Sequence, residues 1–562
     1  MDPAGNPVAR SPVSERADDE PKPDVKGSDG SDGNEKGVAA VETDLAVVLR
    51  DGLALHPQPT SDPLDPLNWP KTKKSIVLAI VMSLYFLFTY LTTTVRNPFK
   101  PDGGGGLILK QTVPSFALVM EQYGISLDQM NWTVAIPALG LAVGPLIWSS
   151  LSDIYGRRTV FLVGTTMAFA STIGAAKAPN YGGYMAARFF QGLGVSPAST
   201  VGLAIINDMF YEYERGEKVG LWVLALDQGL LFGPLIGGFM NMVDQYWVNW
   251  LNAILFAIVL LAEIFFLPET LYPRNQMLAK MPYCESDSAA VDLEKTERRP
   301  SIAQDVALKR TLQLPFLNLK PIPGMRHPKA WDSLVRFVAT WKYAAVSGTI
   351  CIYSFGWYWW ILSVITYIPT AYAQYQPQIQ GLLFIGLILG TLFAEVFCSG
   401  RLSDWLVKKL AKKNGGVKVA EMRLWLAYPA SLVTALGLII WGISIEKQYH
   451  WIVGQIAFFL FAAGIQMANT VMAAYVVDCY PLQSMSVITF YAVVLNFSAF
   501  VNPFFIVPWV EASGYTWTFA AQGIITFFFC VPALGLMHYF GPAIRAKTGQ
   551  PGWVNPEYDS FI

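Results

Sequence analysis

Apolar runs, each near the ~20 residues that a helix needs to cross ~30 Å of hydrocarbon, recur along the chain between short polar turns. The pattern predicts spans at 75–95, 131–151, 158–177, 183–207, 218–240 and 247–268. After a polar gap it predicts six more, at 343–369, 380–401, 423–445, 451–476, 485–508 and 514–541. Residues 1–70 are rich in Asp, Ser, Pro and Gly. Such a segment cannot bury enough apolar surface to offset its ordering entropy, so a disordered tail is expected there. It contains no apolar run, and no cleaved signal peptide is expected. Residues 328–341 put apolar groups at helical spacing beside charges, the pattern of an amphipathic helix lying on a membrane face. The expected organisation is a tail (1–70), a six-helix half (71–268), a central loop (269–342), a second six-helix half (343–541) and a short tail (542–562).

Composition supports an all-α integral membrane protein. Of 562 residues, 53% are hydrophobic and 14% charged, against about 25% charged in soluble domains. The net charge of −1 gives no field for a nucleic-acid partner. Cys284, Cys351, Cys398, Cys479 and Cys530 show no CxxC spacing, and His56, His327, His450 and His538 are scattered. Neither a disulfide framework nor a metal site is expected. No G-x-x-x-x-G-K-[ST] loop is present to hold ATP.

Basic residues set the orientation. Lys71, Lys73 and Lys74 precede span one; Arg157 and Arg158 separate spans two and three; Arg215 and Lys218 separate four and five. The loop after span eight holds Arg401, Lys408, Lys409, Lys412, Lys413 and Lys418, while the opposite loops hold few. Both termini and the central loop are therefore expected in the cytoplasm. Arg298-Arg299-Pro300-Ser301 in that loop has the look of a basophilic kinase site, although a solvated linker accounts for it as well. The halves echo each other: Leu151-Ser152-Asp153 after span two matches Leu402-Ser403-Asp404 after span eight, and Asp208 ends span four as Asp478 ends span ten. Gly140/Gly144 and Gly386/Gly390 give spans two and eight the same GxxxG spacing. Two related halves are a transporter architecture.

Three motifs carry mechanism. Between spans two and three stands Ser149-Ser150-Leu151-Ser152-Asp153-Ile154-Tyr155-Gly156-Arg157-Arg158. A carboxylate and two guanidiniums at a helix turn can tie neighbouring helix ends by charge-assisted bonds. Span four contains Arg188-Phe189-Phe190-Gln191-Gly192. An arginine inside a span costs roughly 2.5–3.5 kcal/mol on insertion scales, so it should face the protein interior unless it snorkels to the surface. Span five places Gly220, Gly229, Gly233, Pro234, Gly237 and Gly238 where a neighbour can approach closely, with a proline kink.

These sequences resemble the loop signature, the R-x-x-Q-G motif and the antiporter glycine motif of the major facilitator superfamily. In the loop signature Ser149 replaces a glycine and Ile154 a basic residue. Asp65-Pro66-Leu67-Asn68-Trp69-Pro70, Pro268-Glu269-Thr270-Leu271-Tyr272, Tyr475-Val476-Val477-Asp478-Cys479-Tyr480-Pro481 and Pro508-Trp509-Val510-Glu511-Ala512-Ser513-Gly514 extend the resemblance over 65–541, to the twelve-span fungal drug:proton antiporters. The resemblance implies the major facilitator fold, twelve transmembrane helices in two pseudo-symmetric halves, working by alternating access. The partners it implies are protons, a small organic substrate and the lipid bilayer. The proton gradient would supply energy without a cofactor or metal. The plasma membrane and a monomer are the family's usual setting, with an organelle membrane as the other option. The run Gly103 to Gly106 in the long first outer loop has no counterpart in the motifs.

Carboxylates within spans are functional candidates. Asp227 and Glu395 are the candidates for proton coupling; Glu263, close to the end of span six, is expected to reach water. A carboxyl group in a low-dielectric interior can take up and release a proton near neutral pH. In span seven Trp357 and Trp360 (i, i+3) are candidates for a cavity wall, with Gln466 and Asn469 of span ten as its polar patch. Three readings follow: an exporter by proton antiport, a proton symporter importing a nutrient or polyamine-like cation, and a membrane sensor that transports nothing. No nucleophile–base or metal set supports an enzyme.

Overall fold

The computed structural model describes residues 62–93, 127–243, 246–274, 328–372, 374–414 and 418–553, with short pieces at 49–60, 124 and 320–321. All of them belong to the unit Val47–Ile562. The Gly103–Gly106 run and Ser301 lie outside the described residues. The described chain is helical apart from a two-residue antiparallel pairing of Leu49–Arg50 with Leu53–Ala54.

The first half holds span one (Lys71–Thr93), span two (Leu127–Tyr155), span three (Arg157–Ala176), span four (Tyr181–Met209), span five (Glu212–Val243) and span six (Tyr246–Phe266). The second half holds span seven (Ala344–Pro369), span eight (Gln378–Lys413), span nine (Ala420–Glu446), span ten (Trp451–Cys479) and the helix Ser484–Thr548. Eleven described helices are thus long and apolar enough to cross a membrane. The last, at 65 residues, would be roughly 98 Å long if straight, three times the hydrocarbon thickness. It breaks at Gly514, whose φ of 71° suits glycine. Residues 484–513 are span eleven and 515–548 span twelve, so the fold has twelve spans.

Burial sorts the helices. The apolar window of span four is 89% buried and that of span six 28%, so span four is interior and span six faces lipid. Two seams join the halves: span two against span eleven, and span five against span eight.

The structure extends several expected boundaries. Span one starts at Lys71 because Lys74 is buried, donating from Nζ to the Leu67 carbonyl at 3.0 Å. Span eight continues past 401 to Lys413 as an amphipathic helix, which the change from apolar to basic residues hid. Spans seven, eight and twelve each contain a π-helical turn, at Ser354–Tyr358, Ala394–Cys398 and Ile525–Cys530. Such turns re-aim the side chains beyond them and recur at functional sites.

The expected amphipathic helix is Asp332–Thr340. Its inner face meets both halves: Ser333 N–H donates to Ser150 Oγ of span two at 3.1 Å, and the Phe337 ring lies 5.2 Å from Phe490 of span eleven. Trp331, Val335 and Val338 face outward.

Candidate functional site

Two carboxylates are buried where spans five, seven, eight, ten and eleven meet. Asp227 of span five has no exposed surface. Its Oδ1 accepts from Tyr358 Oη of span seven at 3.2 Å and its Oδ2 from Asn469 Nδ2 of span ten at 3.2 Å. Asn469 in turn accepts a short bond from Tyr491 Oη of span eleven. Glu395, in the π-helical turn of span eight, accepts at Oε2 from Gln466 Nε2 (2.8 Å), Thr470 Oγ1 (3.0 Å) and Ser399 Oγ. Span ten therefore serves both carboxylates: Gln466, Asn469 and Thr470 lie on one helix face at i, i+3 and i+4 spacing. Neither carboxylate has a basic partner among the described residues.

Four of the proposed residues, Asp227, Glu395, Gln466 and Asn469, are thus brought together. Trp357 and Trp360 turn their indole N–H groups to different neighbours. Trp357 Nε1 donates to Thr434 of span nine at 3.1 Å, and Trp360 Nε1 to Thr526 of span twelve at 3.1 Å. The π-helical turn at Ser354–Tyr358 changes the helical register that the i, i+3 argument assumed. The aromatic residue of this stretch that reaches Asp227 is Tyr358. Glu263 does not reach water either. It is fully buried, accepting from Thr165 Oγ1 of span three at 2.8 Å, because span six turns that face inward.

The glycine motif lies on both sides of span five. A side chain at Gly220 would run into Glu395 Oε1, and one at Gly229 into the Phe86 carbonyl of span one. A side chain at Gly381 of span eight would press on the Leu235 and Pro234 carbonyls and the Gly238 Cα, so spans five and eight pack closely there. Gly233 and Gly237 complete the same stretch of span five. In span four, Arg188 is buried and donates to the Leu91 carbonyl of span one at 3.2 Å and to Gln191 at 3.3 Å. Gln191 donates to Thr172 of span three at 3.1 Å, and Gly192 lets the Pro137 carbonyl of span two approach. The arginine faces the interior and does not snorkel.

The end of the bundle that carries the basic loops has two matching ionic clusters. In the first half, Arg157 Nη1 donates to Asp153 at 2.6 Å and to Ser152 Oγ at 2.7 Å, and its Nε lies 3.5 Å from Asp208. Gly156, at φ 98°, makes the turn that lets Arg157 and Arg158 open span three. The backbone N–H groups of Arg157 and Arg158 donate to Glu269. In the second half, Arg423 donates to Asp404 at 3.1 Å, to Ser403 Oγ at 3.1 Å and to Asp478 at 2.6 Å. The pairs Ser152–Asp153 and Ser403–Asp404, and Asp208 and Asp478, thus have equivalent partners. The second arginine comes from the head of span nine, nineteen residues after Asp404 instead of four. A lone arginine opening an apolar run was the available signal.

The motifs before span one and after span six also meet. The Asp65 carboxylate accepts from Thr60 N (3.1 Å), Thr60 Oγ1 (3.0 Å), Leu67 N (3.0 Å) and Arg274 Nη2 (2.9 Å). Burial alone would raise the Asp65 pKa; the Arg274 guanidinium and these donors outweigh it and hold the pKa below the usual value.

Comparison with known proteins agrees with this architecture. The sequence profile of the Major Facilitator Superfamily matches residues 81–480. Protein HOL1 of Saccharomyces cerevisiae is 25% identical, over 88% of this chain and 91% of its own. The MFS-type efflux pump MFS2 of Trichophyton rubrum is 29% identical, over 89% of this chain and 77% of its own. The solved structure of the proton:xylose symporter XylE bound to 6-bromo-6-deoxy-D-glucose has the same fold (TM-score 0.55, 15% identity), covering 84% of this chain and 96% of that one.

Proposed function

The chain belongs to the Major Facilitator Superfamily, and on that premise we propose that it is a proton-coupled antiporter that exports small organic compounds. It is a multi-pass membrane transporter and not an enzyme. Alternating access comes from rocking of the halves 71–268 and 343–541 about the two seams. Asp227 or Glu395 takes up the proton, and the orientation that basic loops favour puts the Arg157 end in the cytoplasm.

The observation that carries this reading is the placement of Asp227 and Glu395. Both are withdrawn from water and from basic side chains, on the two helices that form one seam. An intramembrane carboxylate so placed is costly unless it works. The glycine motif beside them and the relatives named as efflux pumps favour export. A monomer in the plasma membrane is the working assembly. The test is flux of labelled amphipathic compounds in proteoliposomes under an imposed pH gradient, with Asp227→Asn and Glu395→Gln. Substrate should move against the proton flux, and at least one variant should lose pH-driven transport. Full pH-driven transport in both variants would refute the carboxylate assignment, and substrate moving with the proton would make the protein a symporter.

A further inference from the structure

We propose that Asp227 and a ring of buried tyrosines form the recognition site for an organic cation carrying N–H donors. This deepens the transport reading above and rests on it. Tyr358 and Tyr491 reach Asp227 directly and through Asn469. Tyr353, one turn before Tyr358, lies nearly parallel to Tyr491 (11°, centroids 6.5 Å apart) and 5.9 Å from the Tyr358 ring. On the first-half side Tyr85 of span one, buried and stacked on Trp222, lies within electrostatic reach of both Asp227 and Tyr491. The carboxylate thus has tyrosines of three spans around it. Such rings present negative faces that hold an ammonium group by cation–π attraction.

The hydrogen-bond inventory points to the same ligand. Tyr353 Oη, Gln466 Oε1 and Gln228 Oε1 are buried without a partner among the described residues. All three can accept, and the amide nitrogens of Gln466 and Gln228 are already committed to Glu395 and Thr391. Buried acceptors left unpaired cost free energy that a partner recovers. An anionic ligand would add acceptors to a region already rich in them, and a neutral one would bring no positive charge to Asp227. An ammonium group brings a positive charge to Asp227 and donors to the orphan oxygens. Along the seam of spans two and eleven the halves touch near both ends: Thr489 Oγ1 donates to Ser149 Oγ at 3.2 Å at one, and the Trp132 ring meets Phe504 edge-on at 5.0 Å at the other.

Binding to the purified full-length protein in detergent tests this without any gradient, using phenethylammonium, phenylethanol and phenylacetate as probes at pH 7. Phenethylammonium should bind well ahead of the other two. Asp227→Asn should weaken it by on the order of 30-fold. Tyr353→Leu should weaken it more than Tyr353→Phe, which keeps the ring. A thermal melt of each variant confirms folding. Equal binding of the three probes, a preference for phenylacetate, no binding of the ammonium, or unchanged affinity in a folded Asp227→Asn would each overturn the site. Ammonium-selective binding in a protein whose flux ignores the pH gradient would support the site and leave only the proton-coupling reading in error.

Discussion

Replacing Arg423 by alanine is the sharpest perturbation the structure offers, because sequence motifs point to Arg157 and not to it. The Arg423 side chain is 4% exposed and bridges Asp404 and Asp478, which are 15% and 11% exposed. Removing one member of a fully buried ion pair costs roughly 3–5 kcal/mol. Here both acids keep some contact with water, and Lys418 stays 3.1 Å from Asp478, so about 2–3 kcal/mol is the reasoned loss. If the cluster holds only this arrangement of the helix ends, the balance between access states shifts by roughly 30- to 150-fold. Spin labels at positions 217 and 401, which face each other across the seam as the Glu217–Arg401 pair at 3.4 Å, would report that shift in a distance distribution. The same labelled background carrying Arg157→Ala is the comparison, and Arg423→Ala should produce a change of similar size. A wild-type distance distribution and wild-type melting for Arg423→Ala, with Arg157→Ala strongly altered, would refute the equivalence of the two clusters.

Three further expectations can be checked on the same preparation. Gly229→Ala should lower thermal stability more than Gly220→Ala, since the first meets the fixed Phe86 carbonyl and the second the movable end of Glu395; the cost of overpacking at Gly229 is about 1–3 kcal/mol. Asp65, with its pKa depressed in the folded state, contributes stability above its unfolded value near 3.8 and loses it as pH falls through the lower folded value. The melting temperature should therefore drop along that acid limb, and Asp65→Asn should flatten this part of the profile. Val335→Glu with Val338→Glu places acids on an outward face whose residues are 60% and 62% exposed. That face fits a bilayer interface, so the double variant should lose liposome association or flux while melting normally in detergent.

The spans were legible because ~20-residue apolar runs have few alternatives in a chain this hydrophobic. The pair of spans inside Ser484–Thr548 was legible for the same reason, and Gly514 marks the break. The polar cluster was legible in part. Asp227, Glu395, Gln466 and Asn469 stand out as polar residues in apolar runs, and the fold collects them. Tyr358 and Tyr491 did not stand out, since tyrosines are common in spans and only tertiary contacts select these two. The orientation of Trp357 and Trp360 was lost to a π-helical turn, which shifts the register without a composition signal. Arg423 was hidden because its partners lie across a long loop, whereas Arg157 sits four residues from Asp153.

The distribution of polar ties also bears on how the halves move. Within the first half, Arg157 and the Asp65–Arg274 pair make multiple charged bonds. Within the second half, Arg423 does the same, and Arg545 forks onto Glu421 with two bonds of 2.6–2.7 Å. Across the seams the ties are weaker in kind. Ser149–Thr489 and Gln228–Thr391 are neutral pairs, and Glu217–Arg401 involves an arginine 77% exposed, a setting in which ion pairs contribute about 0–1 kcal/mol. Strong internal ties and weak mutual ones make each half the stiffer unit, so relative motion concentrates at the seams. Asp227 is the exception: a fully buried carboxylate of the first half held by Tyr358 and Asn469 of the second. Glu395 accepts instead from Gln466, Thr470 and Ser399 of its own half. A change of charge on Asp227 therefore alters the attraction between the halves directly, whereas Glu395 acts on the seam through its close approach to Gly220.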